Sequence, residues 1–110
     1  MEKINVEALS ARPRNDLLHE LEKKITENGG WVMDHQMFSN TSISLWVVIE
    51  NVKLEKIFTD LQLIGLDLNS RRIESIMLDK VENHALENII LSLTISFINS
   101  LSTKSLRISV

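Results

Sequence analysis

The chain of 110 residues has no cysteine, one proline and three glycines, and it has no long run of apolar residues. Without cysteine there are no disulfides, thiolate metal ligands or thiol nucleophiles, which is typical of an intracellular protein. The longest apolar run, residues 45–49, is far shorter than the ~20 residues that a membrane helix needs. The first residues, MEKINVE, lack the apolar core of a signal peptide. We therefore expect a cytoplasmic protein that does not bind a membrane.

The sequence motifs of common enzymes and metal sites are also missing. There is no phosphate-loop pattern, dinucleotide-binding fingerprint, nucleophile elbow or paired-histidine zinc motif. His19, His35 and His84 do not have the spacing of metal ligands. Asp34 and His35 are adjacent, so in a strand they would point to opposite faces and could not form a simple dyad. We expect no catalytic residue, no metal and no cofactor.

The charge and composition describe an ordinary globular domain. The net charge of −3 argues against nucleic-acid binding, which usually needs a basic face. Apolar residues make up 44% of the chain and charged residues 25%, as in soluble proteins. At this length a single domain buries about two-thirds of the surface that its unfolded chain exposes. We expect one domain, with a core over 3–68 and a C-terminal extension over 69–110 that completes the sheet.

The spacing of apolar residues predicts the elements of the first half. Residues 3–11 alternate as a strand does, and residues 13–28 carry leucine and isoleucine at helical spacing. Pro13 suits the first helical position because its missing N–H costs nothing there. The two glycines at 29 and 30 end this helix, one of them in the left-handed conformation. A second helix follows Asn51, a good N-cap, and runs to Gly65.

The second half is predicted less completely. Residues 70–80 have apolar spacing that favours a short helix, and residues 87–98 show the clearest alternation in the chain, typical of a half-buried antiparallel strand. Residues 106–110 alternate as a final strand would. Either 66–69 or 87–98 could supply the fourth strand of the sheet, and the sequence leaves this choice open.

Residues 30–50 predict a hairpin whose register follows from the apolar pattern. A three-residue loop, Ser39-Asn40-Thr41, aligns the apolar residues of both strands on one face, and a one-residue slip would mix the faces. Asn40 tolerates the left-handed conformation that such a loop needs. In this register the cross-strand pairs are Met37 with Ile43, His35 with Leu45 and Met33 with Val47.

The hairpin therefore has two faces with different roles. One face is predicted to hold the helices through Met33, Met37, Ile43, Leu45, Val47 and Ile49. The reverse face carries the predicted interface residues Val32, Phe38, Trp46 and Val48. A solvated face seldom exposes so much apolar area, so either a partner or the C-terminal extension should cover it.

The loop after the first strand is the predicted ligand site. Free N–H groups at a helix start, together with two guanidinium groups, attract a carboxylate or phosphate. The alternative is that the arginines are solvated or pair with nearby acids. The candidate ligand-binding residues are Arg12, Arg14, Asn15 and Asp16.

The order of elements predicts an α+β fold of ferredoxin-like type. It is a βαββαβ antiparallel sheet with two helices on one face, in which right-handed crossovers make the first and third strands central. The stretch from Val6 to Trp31, with its Arg-Pro pair, its leucine and isoleucine stripe and its glycine before the second strand, resembles an ACT domain. Ile43 through Gly65 resembles that family's third strand and second helix, so the resemblance covers about residues 4–65.

The resemblance implies a regulatory module, with two departures at the ligand loop. The family usually has glycine after the Arg-Pro pair and aspartate before it, whereas this chain has Arg14 and Ala11. A non-enzymatic homodimer is implied, joined through sheet edges or helices, with a small anionic or amino-acid-like ligand near the first strand–helix loop. The alternative is a structural or protein-interaction domain that uses the face around Trp46 and has no small-molecule ligand.

Overall fold

A computed structural model describes residues 2–39, 41–80 and 87–98, without the side chain of Lys80. Asn40, His84 and the strand predicted at 106–110 lie outside these residues. A single 3-10 turn, Asn51–Lys53, stands directly before the second helix. The elements are β1 (Glu2–Ser10), α1 (Arg14–Glu27), β2 (Trp31–Ser39), β3 (Ser42–Glu50), α2 (Leu54–Leu63), β4 (Asp67–Leu68), α3 (Ser70–Lys80) and β5 (Asn88–Phe97).

The helices end as their glycines predict. Gly29 follows α1 with φ of 78°, and Gly65 follows α2 with φ of 106°. After α2, the Gly65 N–H donates to the Gln62 carbonyl at 3.1 Å and the Leu66 N–H to the Leu61 carbonyl at 3.0 Å. The left-handed glycine turns the chain so that these carbonyls gain partners. The predicted short helix over 70–80 is confirmed as α3.

Within the described ranges the sheet has five strands in the order β2-β3-β5-β1-β4. β5 runs parallel to β1 and antiparallel to β3, and it pairs with both along its whole length. The sheet is therefore mixed, and the prediction of a purely antiparallel sheet is wrong. β5 separates the first and third strands, while β4 forms the edge beside β1. The sequence left open whether residues 66–69 or 87–98 supply the fourth strand. Both stretches contribute a strand to this sheet, β4 and β5.

The reason β5 occupies an interior position lies in its side chains. Its alternate residues Ile89, Leu91, Leu93 and Ile95 are at most 2% exposed. A long strand with a fully buried apolar face is most stable where neighbours on both sides satisfy its backbone N–H and C=O groups. β4, with two residues, is too short to fill such a position.

All three helices cover the same face of the sheet, as predicted for the first two. Their apolar residues form one buried cluster with the residues of β1, β3 and β5 that point towards them. This is the two-layer arrangement expected when helix stripes rest on one apolar sheet face. The helix residues of the cluster are Leu17, Leu21, Ile25, Leu54, Ile57, Phe58, Leu61 and Ile76.

The hairpin register is confirmed at its middle pairs and wrong at both ends. Ser39 pairs with Ser42 after an irregularity that follows Met37, so the predicted three-residue loop Ser39-Asn40-Thr41 is wrong. His35 pairs with Leu45 and Met37 with Ile43, as predicted. An irregularity between Val32 and Asp34 then shifts the register, so that Val32 rather than Met33 lies opposite Val47. A bulge inserts one extra residue and moves the following side chains to the other face. Val32 consequently lies on the helix side, and its predicted place on the reverse face is wrong.

Candidate functional site

Arg12, the first residue of the predicted ligand loop, is held by contacts within the chain. Its Nη1 donates to the Ile64 carbonyl at 2.7 Å and also bonds the carboxylate of Glu20. Its aliphatic part lies against Gly65, where an added Cβ would be 2.6 Å from the Arg12 Cδ. Arg12 thus ties the start of α1 to the end of α2.

The electrostatics of this pair agree with its geometry. The hydrogen bond to Glu20 raises the pKa of the Arg12 guanidinium, although burial opposes the change. The same hydrogen bond is the main cause that lowers the pKa of the Glu20 carboxyl. Because the two charges compensate each other, Arg12 offers less positive charge to an external anion.

The other residues of the loop do not converge on one point. Arg14 is half-buried, and its Nη1 donates to the Met37 sulfur at 3.5 Å, towards β2. Asn15 and Asp16 are exposed in the first turn of α1, which has no side-chain cap. The described contacts of the two guanidinium groups go to different partners, Glu20 and Ile64 for Arg12 and Met37 for Arg14.

Replacing Arg12 with methionine is expected to lower the melting temperature and to return the pKa of Glu20 towards its ordinary value. The lowered pKa of Glu20 stabilises the fold above about pH 4, and this contribution disappears as the carboxylate is protonated. The difference in melting temperature from wild type should therefore be larger at pH 7 than at pH 3. Carboxyl NMR titration and thermal unfolding measure both effects.

Lys23→Met is the control for this experiment, since Lys23 is exposed on the same helix and its removal changes the net charge equally. Lys23 makes only the smallest contribution to the lowered pKa of Glu20. Equal losses of stability in the two variants would show that net charge, and not the contacts of Arg12, explains the result.

The helix-free side of the sheet, here called the open face, has an apolar end and a polar end. At the apolar end Trp31 pairs with Val48, and Lys3 Nζ lies 4.8 Å from the centre of the Trp46 ring, a cation–π contact. Trp46 is 37% exposed, whereas Val48 is only 3% exposed. Of the predicted interface residues on this face, Trp46 has surface available to a partner and Val48 has little.

The polar end of the open face contains a shallow depression of about 410 Å³. Thr94, which lines the depression, forms a hydrogen bond with Ser44 of β3, and the two hydroxyl oxygens are 3.1 Å apart. Among the described residues no group of three histidine, cysteine, aspartate or glutamate side chains could hold a metal ion. The depression is lined by Glu7, Ala8, Leu9, Asp67, Asn69, Thr94 and Ser96.

Most residues of the edge strand β2 are exposed to solvent. The prediction that Met33 and Met37 hold the helices is wrong, because they are 47% and 51% exposed. The helices rest on the interior strands, and of the nine residues of β2 only Val32 is half-buried. Phe38 is the most exposed residue of the predicted interface, at 60%.

β2 pairs only with β3 within the described sheet, so one side of its backbone faces outwards. Such an edge presents unpaired N–H and C=O groups to another strand. The predicted strand order already placed β2 at an edge. What the sequence did not reveal is that the helix layer buries only Val32 of this strand, and that only partly, because side-chain alternation reports two faces and not how far a helix reaches.

No helix in the described ranges is both long enough and apolar enough to cross a membrane. Comparisons with known protein families, with curated proteins and with solved structures found no match to this chain.

Proposed function

We propose that this chain is a non-catalytic protein-interaction module that acts as a homodimer, with β2 and the neighbouring Trp46 as its contact surface. The observation that carries the proposal is the concentration of exposed apolar side chains on one edge strand. Trp31, Met33, Met37 and Phe38 are each between 47% and 60% exposed. Apolar surface gathered in this way marks interaction sites.

The sequence of β2 supports the same proposal. Natural edge strands are usually protected from pairing by lysine, proline or a covering loop. Residues 31–39 contain no lysine, arginine or proline, and Asp34 is the only acidic residue among them. The two register irregularities of β2 are a further way of protecting an edge, but without lysine or proline the protection is partial, which fits a strand that is used for binding.

The strand order supports a ferredoxin-like origin for the module. With β5 left out, the remaining order is β4-β1-β3-β2, and each of these strands would run antiparallel to its neighbour. This is the order and direction of a βαββαβ sheet. We therefore regard the domain as a ferredoxin-like, ACT-like sheet widened by one interior strand, and a regulatory role as the corresponding proposal.

A small anionic or amino-acid-like ligand at the first strand–helix loop is the less supported proposal. Arg12 is engaged by Glu20 and Ile64, and Asp16 adds negative charge to the first turn of α1. A thermal-shift screen with amino acids, nucleotides and metabolites tests it. A ligand that raises the melting temperature of the wild type but not that of Arg14→Ala would make the ligand site the better supported proposal.

The interaction proposal predicts that Met37→Lys weakens self-association at least about tenfold, or ~1.4 kcal/mol. A lysine on the edge repels its copy and replaces apolar contact area. Sedimentation equilibrium over a range of concentrations gives the dissociation constant, and Trp46→Asp examines the adjoining part of the open face in the same way.

Leu63→Lys is the matched control, because Leu63 is 78% exposed on α2, in the helix layer. Its dissociation constant should equal that of wild type. A wild-type chain that remains monomeric at millimolar concentration, or an equal effect of Leu63→Lys, would contradict the proposal.

A further inference from the structure

We infer that Arg72 guards the outer edge of β1 against the addition of another strand, because its guanidinium makes the hydrogen bond that a longer β4 would make. This edge lies on the side of the sheet opposite to β2, so the inference is independent of the proposed function. It follows from the register of β4, from the start of α3 and from the contact between Arg72 and Asn5.

The outer edge of β1 is the side turned away from β5, and β4 covers only its last part. Of the nine residues of β1, Ala8 and Leu9 alone pair with β4. None of the described strands pairs with residues 2–7 on this side. A strand edge without a partner strand is open to pairing with another chain unless something protects it.

Asn5 directs its backbone groups to this outer side. The Ser10 carbonyl accepts a hydrogen bond from the Ile98 N–H at 2.7 Å, so the carbonyl of Ser10 points towards the β5 side. Alternate residues of a strand direct their backbone groups to the same side, so the odd-numbered residues of β1 direct theirs outwards. The Asn5 carbonyl is therefore an acceptor that the edge would present to another strand.

The register of β4 shows which hydrogen bond is replaced. If β4 continued in its antiparallel register with β1, Arg71 would lie opposite Asn5. The chain instead begins α3 after Asn69, whose side-chain oxygen accepts from the N–H groups of Arg71 and Arg72 at 3.0 and 3.2 Å. The backbone N–H of Arg71 is thus engaged at the helix start and does not reach the Asn5 carbonyl.

The guanidinium of Arg72 supplies the donors in its place. Its Nη2 and Nε lie 3.1 and 3.3 Å from the Asn5 carbonyl oxygen, and both donate to it. Hydrogen bonds from a charged donor are stronger than those between neutral groups, and the planar guanidinium offers several donors at once. An acceptor near the middle of the β1 edge is therefore satisfied without a further strand.

α3 holds Arg72 in position without lying in the plane of the sheet. Ile76 of α3 belongs to the buried cluster, which places the helix in the helix layer. A gap of about 110 Å³ remains between α3 and residues 2–4 of β1. A strand that paired here would have to displace the exposed guanidinium from the Asn5 carbonyl or remove its water, and both are unfavourable.

The two edges of the sheet therefore differ in their protection. Residues 31–39 of β2 contain no lysine, arginine or proline, whereas the outer edge of β1 has a bound arginine. A charged side chain on an edge is one of the ways in which natural proteins prevent strand addition. With one edge guarded, a chain that pairs through the other cannot extend into an open-ended fibre.

Arg72→Met tests the guard, because it removes the donors and the charge but keeps an extended side chain. The dissociation constant for self-association, from sedimentation equilibrium, should fall at least about tenfold below that of wild type. Amide hydrogen exchange locates the new contact. In this variant, and not in wild type, the N–H groups of Asn5 and Glu7 should exchange more slowly at high than at low protein concentration. Circular dichroism establishes that the variant is folded.

Arg71→Met is the matched control, since Arg71 is exposed on the same turn of α3 and its removal changes the net charge equally. Arg72→Lys keeps the charge and N–H donors, so it should behave as wild type. In the wild type itself, the Arg72 Nε–H should exchange with water more slowly than the Arg71 Nε–H. This measurement tests the contact with Asn5 without any substitution.

The outcomes separate this inference from the proposed function. An unchanged dissociation constant in Arg72→Met overturns the inference, and so does an equal decrease in Arg71→Met, which would assign the effect to net charge. Slower exchange confined to β2 would place the new contact at the other edge and also overturn it. A wild-type chain that is monomeric contradicts the proposed homodimer alone, since Arg72→Met should associate through β1 in either case.

Discussion

Replacing Leu93 with alanine is expected to lower the free energy of unfolding by about 2–5 kcal/mol, the largest effect of any single truncation proposed for this chain. Leu93 is 0% exposed and lies in the middle of β5, between Val6 of β1 and Leu45 of β3. Two paired strands hold its backbone, so the sheet cannot easily collapse into the space that the side chain leaves. Urea denaturation monitored by circular dichroism measures the change.

Leu63→Ala is the matched control, since it removes the same atoms from a side chain that is 78% exposed. It should change the free energy of unfolding by less than about 0.5 kcal/mol. If Leu93→Ala were as mild as this control, β5 would not be an interior strand, and the four-stranded order expected from the sequence would become the better description.

Gly30→Ala is expected to cost about 3 kcal/mol, because the space beside Gly30 is filled by backbone. An added Cβ would lie 2.7 Å from the Val48 carbonyl oxygen, and it would also crowd Ile25 and Ile49. A side chain can rotate out of such a contact, whereas the oxygen of Val48 is part of β3. The start of β2 would have to move away from β3, which makes this glycine a condition for the edge strand on which the proposed interface depends.

The adjacent Gly29 provides the control for this prediction. Its φ of 78° is unfavourable for alanine, but an added Cβ would have no heavy atom within 4 Å. Gly29→Ala should therefore cost only the conformational penalty, about 1 kcal/mol. Thermal or urea unfolding of both variants gives the comparison, and a larger loss in Gly29→Ala would show that the contact with Val48 is not the dominant constraint.

The proposed interface and these two positions are connected through the hairpin. Gly30 sets how closely β2 approaches β3, and β5 supports β3 from its other side. A variant that disturbs the contact at Gly30 or the packing of β5 should weaken self-association and also lower the free energy of unfolding. Met37→Lys, by contrast, should weaken self-association more than it lowers the free energy of unfolding, since its side chain is half-exposed and, apart from its pairing with Ile43, the contact that changes is the one between its sulfur and Arg14.

Much of the local structure could be predicted from the sequence alone. Helix and strand periods, glycines after helices and the apolar alternation of residues 87–98 depend on neighbours within a few residues, and these were read correctly for α1, α3 and β5. The middle part of the hairpin register followed for the same reason, because the matching of apolar faces is a local property, whereas the predicted loop length was wrong.

The candidate site could be predicted only in part. Arg12 was named as a ligand candidate near a helix start, with pairing to a nearby acid as the alternative, and its contact with Glu20 fits that alternative. Its second partner, Ile64, is 52 residues away along the chain. Nothing in the local pattern distinguishes an arginine that will meet a distant carbonyl from one that remains available to a ligand. The exposure of Met33 and Met37 was missed for a related reason, since it depends on where the helix layer ends.

The sequence by itself determined the positions of the helices and of β1, β3 and β5, together with their apolar sides, but not the buried side of β2. The tertiary structure decided that β5 lies between β1 and β3, that the sheet is mixed, that a bulge returns Val32 to the helix side and that, among the described elements, β2 pairs only with β3. These features depend on pairing between segments that are far apart in the chain, where several arrangements satisfy the same local periods. Burial of the apolar face of β5, with both of its backbone edges paired, selects among them.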